Sequence, residues 1–430
     1  MTAPSLMLAA LADDFTGAVE LAAMLRAAGA RTRLVVGRDA IPQSAGEAEA
    51  LVVALRSRVA PAAEAEAEAD AAATSLKRLG ARMLFLKYCA SFDSLESGNI
   101  GNVAEVLRRH GPPAPVLFCP SFPEAARCVF RAHLFIQDQL LEHSPKRHDP
   151  LTPMTRSDLR QVLAPQTGLG VGWLPYEAVL QGDAAIRHHA DAEQQAGRPF
   201  LIADAITEED LQRIAWAARD WPLLTGGSSV AAWLPRAWQA EGRMAVTPPG
   251  ALAPLAGPGA VLAGSCAERT RQQVAEFGRR HPVLAIDPLD EPEAAFEQAL
   301  SWASQRLGTA PFCLTTSADP ARVAAAQAAL GPIPAGRRAE ALLARLGAAL
   351  AQRGLRRLLV AGGETSGAVV EGLGIRELEV APYREIGMGL CRADAPVPLL
   401  LCLKSGKLGA VDMFERTLAE MEGQGMRVAR

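Results

Sequence analysis

Short apolar segments alternate with helical patterns along most of the chain. In the first strand–turn–helix unit, residues 6–11 have the composition of a buried strand and residues 12–15 have that of a turn. Residues 16–28 follow as a helix that ends at Gly29, and Thr32–Val36 resumes as a strand. Strands that are joined through helices pair in parallel. The alternation therefore predicts an α/β fold with largely parallel sheets.

The same pattern continues on both sides of residues 241–259, which contain four prolines and no periodicity. Such a stretch is typical of an interdomain linker. The chain has 430 residues, and single cores stop growing at about 250–300 residues. We therefore predict two α/β domains, at residues 1–240 and 260–430. Further predicted strands are residues 51–55, 83–87, 116–119, 200–203, 223–225, 260–263, 283–286, 312–315, 358–361 and 399–403.

The composition is that of an ordinary globular protein, with 49% hydrophobic and 21% charged residues. A net charge of −3, without basic stretches that alternate with aromatic residues, gives no support for a nucleic-acid partner. No apolar run reaches membrane-spanning length, and we expect no signal peptide. The seven cysteines include no CxxC pair, which indicates reduced thiols in the cytoplasm. The histidines show no metal-ligand spacing, so we expect no transition-metal site.

Two glycine-rich turns in the C-terminal half each follow a strand and precede a helix. They are residues 362–367 (Gly-Gly-Glu-Thr-Ser-Gly) and residues 404–409 (Lys-Ser-Gly-Lys-Leu-Gly). Backbone N–H groups at such turns can bind anions. Neither turn matches the Walker A or GxGxxG pattern, and a single glycine turn is more often structural. Two of them together predict a nucleotide site, and Ser265, which lacks a GxSxG context, is interpreted as a nucleotide contact.

Polar residues also follow strands in the N-terminal half. Asp13 and Asp14 come directly after the first strand, where ligands of α/β sheets bind. Adjacent acids can bind a hydroxyl, coordinate a magnesium-bound phosphate or act as a general base. Alternatively, Asp14 caps the following helix, although a cap explains only one of the two carboxylates.

A second polar loop begins at Lys87, at the end of another predicted strand. Lys87 offers a cation for a carboxylate or phosphate, and the hydrogen-bonding side chains of Ser91, Asp93 and Ser94 follow it. This loop suits a small polyol acid, and the alternative is turn and capping chemistry. Residues 225–229 (Thr-Gly-Gly-Ser-Ser) form a further strand-to-helix turn that could face an anion.

These segments together resemble the four-carbon acid sugar kinase family, over nearly the whole chain. The matching motifs are residues 12–18, 262–265, 361–367 and 404–406 with Gly409. A second set resembles the 3-oxo-tetronate 4-kinase branch, and consists of residues 87–94, 98–101, 133–135 and 150–155.

The resemblance implies an ATP- and Mg²⁺-dependent kinase that phosphorylates the 4-hydroxyl of 3-oxo-tetronate in carbohydrate catabolism. It implies an acid-binding N-terminal domain, a nucleotide-binding C-terminal domain and an active site in the cleft between them. The positions that match ATP contacts are Ser265, Gly362, Gly363, Glu364, Thr365 and Gly406. The expected substrate contacts are Lys87, Ser91, Asp93 and Ser94. Asp14 and Asp13 are the expected catalytic residues.

Two alternatives stay open at this point. The same chemistry could act on D-threonate or D-erythronate. A non-catalytic module that binds ATP or a metabolite could keep the glycine turns, but it would not need Asp13, Asp14 and Lys87 together. A homodimer is the expected assembly for a metabolic enzyme of this size.

Overall fold

The chain divides between Pro249 and Gly250 into two units. A computed structural model describes residues 6–149 and 151–423. Pro150, which belongs to one of the family-like segments, lies outside these residues. None of the helices in the described ranges is long and apolar enough to cross a membrane.

The first unit contains eight parallel strands in the order β2-β3-β1-β4-β11-β5-β10-β9, and β6 to β8 form a small antiparallel sheet. The strands are β1 (Leu8–Ala12), β2 (Thr32–Val36), β3 (Ala50–Ala54), β4 (Met83–Lys87), β5 (Val116–Cys119), β6 (Arg127–Phe130), β7 (His133–Ile136), β8 (Gln139–Leu140), β9 (Val171–Leu174), β10 (Phe200–Ala203) and β11 (Leu223–Gly226). β1, β3 and β4 are buried along their whole length, as strands covered on both faces must be.

Helices connect these strands. They are α1 (Phe15–Ala27), α2 (Ala62–Arg78), α3 (Ile100–Arg108), α4 (Leu159–Leu163), α5 (Tyr176–Gln181), α6 (Asp183–Gln195), α7 (Glu208–Ala218), α8 (Ser228–Ala231) and α9 (Leu234–Ala240). Short 3-10 turns lie at Arg38–Ala40, Pro123–Ala125, Leu141–His143, Pro145–His148 and Ala164–Gln166. The helical segment that follows the turn at residues 225–229 is broken between α8 and α9. Pro235 lies in the first turn of α9 and has no N–H to continue a helix.

The second unit has seven strands in the order β13-β14-β12-β15-β18-β17-β16. The strands from β13 to β18 in this order are parallel, and β17 pairs antiparallel with both β18 and β16. The strands are β12 (Gly259–Ala263), β13 (Val283–Ala285), β14 (Phe312–Thr315), β15 (Arg357–Ala361), β16 (Glu377–Val380), β17 (Met388–Ala393) and β18 (Leu399–Lys404). The helices are α10 (Glu268–Phe277), α11 (Pro292–Ser304), α12 (Pro320–Leu330), α13 (Pro332–Gln352), α14 (Gly363–Gly372) and α15 (Met413–Met421). The predicted α/β class with largely parallel sheets is confirmed.

Candidate active site

The carboxyl ends of β3, β1 and β4 meet at one edge of the first sheet, because these strands are neighbours. The backbone N–H of Asp13, after β1, donates to the carbonyl of Lys87 at the end of β4 (3.0 Å). The carbonyl of Asp13 accepts from the backbone N–H groups of Ser57 and Arg58, after β3 (3.1 Å each). Backbone bonds therefore hold the three strand ends together.

Arg58 links the two adjacent acids. Its guanidinium donates two hydrogen bonds to the Asp13 carboxylate, at 2.9 Å each. A terminal nitrogen of the same group lies 2.9 Å from Asp14 Oδ1. The Asn99 side chain donates to the carbonyls of Ser57 (2.6 Å) and Ala60 (3.0 Å), which fixes the loop that carries Arg58. Sequence reasoning missed Arg58, which lies four residues after the end of β3 in a loop without a motif.

Asp14 has the capping role that the sequence left as one of two alternatives. Its Oδ1 accepts from the Gly17 backbone N–H (2.8 Å) and so caps α1. Burial raises the pKa of the Asp14 carboxyl. The charges of Arg58 and Lys87 and the hydrogen bond from Gly17 lower it by a larger amount, so the net pKa lies below its usual value. The cap and the Arg58 contact both use Oδ1, so Oδ2 is the oxygen that these contacts leave open.

Lys87 and Asp14 both approach the space beside Gly17. The Lys87 side chain is buried at the end of β4, and its Nζ donates to the Tyr88 carbonyl (3.0 Å). A Cβ at Gly17 would lie 2.3 Å from Asp14 Oδ1 and 2.6 Å from Lys87 Nζ. Three of the predicted residues, Asp13, Asp14 and Lys87, therefore form one compact cluster.

The other predicted residues of the loop after Lys87 make contacts of different kinds. Asp93 forms an ion pair with Lys146, which also lies 3.0 Å from Asp149. Asp93 Oδ1 is buried and has no hydrogen-bond partner in residues 6–149 and 151–423. Ser91 donates weakly to a cysteine sulfur (3.5 Å), and Ser94 accepts from Gln166 (3.0 Å).

Gln166 is buried and also donates to the backbone carbonyls of Leu95 and Val162. Its side-chain oxygen accepts from the Gly101 N–H. The bond to Ser94 therefore helps to pack the loop, whereas Asp93 keeps a free acceptor.

In the second unit, the turns after β12, β15 and β18 also pack together. The N–H groups of Gly264 and Ser265 donate to the Ala361 carbonyl (3.0 and 3.1 Å), and the Gly362 N–H donates to the Lys404 carbonyl (2.9 Å). These bonds follow from the strand order β12-β15-β18. Both glycine turns and the Ser265 turn are thus brought to one edge of the sheet.

Close backbone approach at this edge excludes larger side chains. A Cβ at Gly406 would lie 2.0 Å from Ser265 Oγ, and a Cβ at Gly264 would lie 2.2 Å from Thr365 Oγ1. Gly362 has φ 135°, a conformation that other residues rarely adopt. The predicted residues Ser265, Gly362, Thr365 and Gly406 lie together.

Two helices begin at this cluster without a side-chain cap. The residue before α10 is Ala267 and the residue before α14 is Gly362, and neither caps its helix through a side chain. First-turn N–H groups lack intrahelical partners and attract anions. Gly363 and the exposed Glu364 lie in the first turn of α14. The arrangement suits a chain of phosphate groups.

Two family models match the chain. One, described as a sugar-binding N-terminal domain, covers residues 8–234, and the other, described as a nucleotide-binding C-terminal domain, covers residues 260–414. A 3-oxo-tetronate kinase of Pseudomonas fluorescens is 42% identical over 98% of each chain. The 3-oxo-tetronate kinase of Cupriavidus necator is 42% identical over 97% of this chain and 98% of its own.

Solved structures show the same similarity. A Salmonella typhimurium protein, provisionally described as a tRNA synthase, has a TM-score of 0.84 and 34% identity over 96% of this chain and 99% of its own. A Haemophilus influenzae protein has a TM-score of 0.74 and 30% identity over 95% of this chain and 98% of its own. The similarity therefore extends through both units.

Proposed function

The chain belongs to the four-carbon acid sugar kinase family, and from this we propose that it transfers the γ-phosphoryl group of ATP to the 4-hydroxyl of 3-oxo-tetronate. The products are the 4-phosphate and ADP. The observation that carries this proposal is the near full-length similarity to proteins named 3-oxo-tetronate kinase. It favours this substrate over D-threonate or D-erythronate, and an enzyme over a binding module. The net charge of −3 gives no support for RNA as a substrate.

The cluster at the ends of β3, β1 and β4 is the proposed acid site. Lys87 pairs with the substrate carboxylate, and Asp14 Oδ2 is placed to accept the proton of the 4-hydroxyl. The low pKa of Asp14 keeps it ionised at neutral pH. Asp13 contributes to the acid site by positioning Arg58, which donates two hydrogen bonds to its carboxylate.

The polar loop after β4 completes this site. The partnerless Asp93 Oδ1 supports a role for Asp93 as acceptor of a substrate hydroxyl. We propose Ser91 and Ser94 as further contacts, although the hydroxyl of Ser94 also serves the packing around Gln166.

The turns after β12, β15 and β18 are the proposed nucleotide site. Ser265, Gly362, Gly363, Thr365 and Gly406 surround the phosphate chain with backbone N–H and hydroxyl groups. We infer this from the uncapped starts of α10 and α14 and from the close approach of the turns.

Mg²⁺ fits this nucleotide site as a phosphate-bound ion. Within residues 6–149 and 151–423, no three His, Cys, Asp or Glu side chains converge on one metal position. Mg²⁺ at such sites binds phosphates, waters and one or two carboxylates, and Glu364 offers an exposed carboxylate there. When bound, Mg²⁺ neutralises charge on the phosphate oxygens.

The reaction needs positioning more than covalent catalysis. The 4-hydroxyl loses its proton to Asp14, its oxygen bonds to the γ-phosphorus, and the bond from that phosphorus to the β,γ-bridging oxygen breaks. Water must be excluded, because it competes as acceptor.

We also propose a cytoplasmic location and a homodimer. ATP is the second substrate, and all seven cysteines are free thiols, which suits a reducing compartment. The homodimer is expected from size and metabolic class alone.

The test is ADP release with ATP and Mg²⁺, measured on 3-oxo-tetronate, D- and L-threonate, D-erythronate and no acid. We expect turnover on the 3-oxo acid, and phosphorus–proton couplings that place the phosphate on C4. Turnover on threonate or erythronate alone would overturn the substrate. If folded protein binds ATP but turns over with none of these acids, the binding module is favoured.

A further inference from the structure

The side chain of Lys404 is fully buried at the end of β18, but it lacks a counterion. Its Nζ lies 3.5 Å from the Thr270 hydroxyl, which is a weak contact. No carboxylate in residues 6–149 and 151–423 forms an ion pair with it. A buried charge without a partner is costly. Such an ammonium group indicates an anion that it meets during function.

Lys404 lies at the same edge of the sheet as the proposed nucleotide site. It pairs in the sheet with Ala361, directly before the glycine turn that starts α14. Thr270, which Lys404 contacts, lies in the first turn of α10 and donates to the Gly406 carbonyl (2.7 Å). The ammonium group is therefore close to the start of α10 and to the loop that contains Gly406.

The start of α10 is an unfavourable place for an isolated cation. A helix N-terminus carries partial positive charge, which attracts anions and repels an ammonium group. Ala267 provides no side-chain cap, and Arg269 adds a second positive charge in the same turn. A bound anion would make this arrangement favourable for the charged amine.

The titration of Lys404 agrees with this environment. The pKa of Lys404 is lowered to about 8, chiefly by burial and in part by the charge of Arg269, whereas Cys402 acts in the opposite direction. The neighbouring strand residues Ala361 and Met388 carry no charge. The other ionisable side chains on the first turns of the adjoining helices are Glu268, Arg271 and Glu364.

We propose that Lys404 is the cation that binds the phosphate chain of the nucleotide, and that it gains a proton when the nucleotide binds. This inference rests on the proposed kinase function and adds a charged residue to its site. Bound phosphates hold the amine in its charged form, whereas the free protein loses that proton as the pH rises through about 8. ATP affinity therefore falls as the pH rises above 8, by at most about tenfold per pH unit.

Proton uptake can be measured on the unmodified protein. ATP is titrated calorimetrically with Mg²⁺ at pH 7, 8 and 9, in paired buffers of different ionisation enthalpy. We expect uptake of about half a proton near pH 8 and nearly one proton at pH 9. ATP binding and turnover without any uptake would overturn the inference and leave the kinase intact. Absence of ATP binding at every pH would instead overturn the kinase function, and this inference with it.

Two substitutions distinguish the effect of the positive charge at position 404 from the effect of its titration. Lys404→Met should raise the ATP dissociation constant by about 10- to 100-fold and abolish the uptake, because a charged hydrogen-bond partner is lost. Lys404→Arg should keep part of the affinity but show no uptake. Lys77→Met is the matched control, since burial also lowers the pKa of this lysine on α2, and it should keep both properties. Unchanged ATP affinity in folded Lys404→Met would contradict the proposal, and if that variant does not fold, the uptake by the unmodified protein decides.

Discussion

Asp13 and Asp14 are neighbours in sequence, but their carboxylates make different bonds. Asp13 is bound at both oxygens by Arg58, so it has the role of a fixed counterion. Asp14 uses one oxygen to cap α1 and to contact Arg58, and keeps the other open. The two acids should therefore respond differently to the loss of their charge.

Asp14→Asn should lower the turnover number by at least about 100-fold, because the amide cannot accept the hydroxyl proton. Asparagine is also a good N-cap, so the melting temperature should change little. The ATP dissociation constant should stay within about twofold of that of the unmodified protein, since Asp14 lies outside the proposed nucleotide site. Steady-state kinetics and calorimetry on the same preparation measure both effects.

Two further variants control this experiment. Asp158→Asn changes another capping aspartate, at the start of α4, and should leave turnover unchanged. Asp13→Asn should instead destabilise the fold, by up to about 3 kcal/mol, because Arg58 loses a buried partner. Near-normal turnover in Asp14→Asn would remove Asp14 from the role of base.

Adjacency in the sheet explains which site residues the sequence could predict. Asp13, Asp14 and Lys87 could be found because each directly follows a recognisable strand. Arg58 was missed because it lies in a short loop without a motif, and it becomes significant only when β3 is known to pair with β1. Lys404 was seen as part of a glycine loop, but its burial depends on packing that no local pattern shows.

At the scale of elements, the glycine turns of the second unit work through their contacts with one another. Gly406 packs against Ser265, and Gly264 packs against Thr365. Each turn thus restricts the size of the residues that the neighbouring turn can carry, although the turns after β12, β15 and β18 are far apart in sequence.

Gly406→Ala should therefore weaken nucleotide binding by displacing Ser265. The new Cβ would lie 2.0 Å from Ser265 Oγ and 2.7 Å from Ser265 Cβ, and relieving such overlap usually costs about 1–3 kcal/mol. We expect the ATP dissociation constant to rise about 10-fold or more, with little change in the KM for the acid.

Gly336→Ala is the matched control, because a Cβ at this exposed glycine on α13 would meet only the Glu340 side chain, at 3.9 Å. The substitution should leave ATP affinity unchanged and stabilise its helix slightly. Equal ATP affinity in Gly406→Ala and the unmodified protein would show that the turns tolerate displacement.

Element types were easier to predict than element ends. Buried parallel strands such as β4 and β5 were predicted with the bounds that the structure has, since their apolar runs end at polar or turn residues. The antiparallel pair of β16 and β17 was missed, because these strands alternate buried and less buried residues and contain charged side chains. Tertiary pairing, rather than local composition, makes them strands.

At the scale of the whole molecule, the segment between the units should be the most accessible backbone. Residues 245–258 contain no helix or strand, and Val246 is 70% exposed. Limited proteolysis should therefore cut there first and release two fragments that correspond to the two units. Mass spectrometry of the early products identifies the cut. First cleavage within β1 to β5 would contradict this division.

The place of β11 in the first sheet has a consequence for synthesis of the protein. β11 lies between β4 and β5, although it is the last strand of its unit to be made. Until Leu223–Gly226 leaves the ribosome, β4 and β5 each present an unpaired apolar edge to other chains. The long interval between these strands also makes folding slow. Chaperone protection of the nascent chain should therefore matter most between the synthesis of β5 and that of β11.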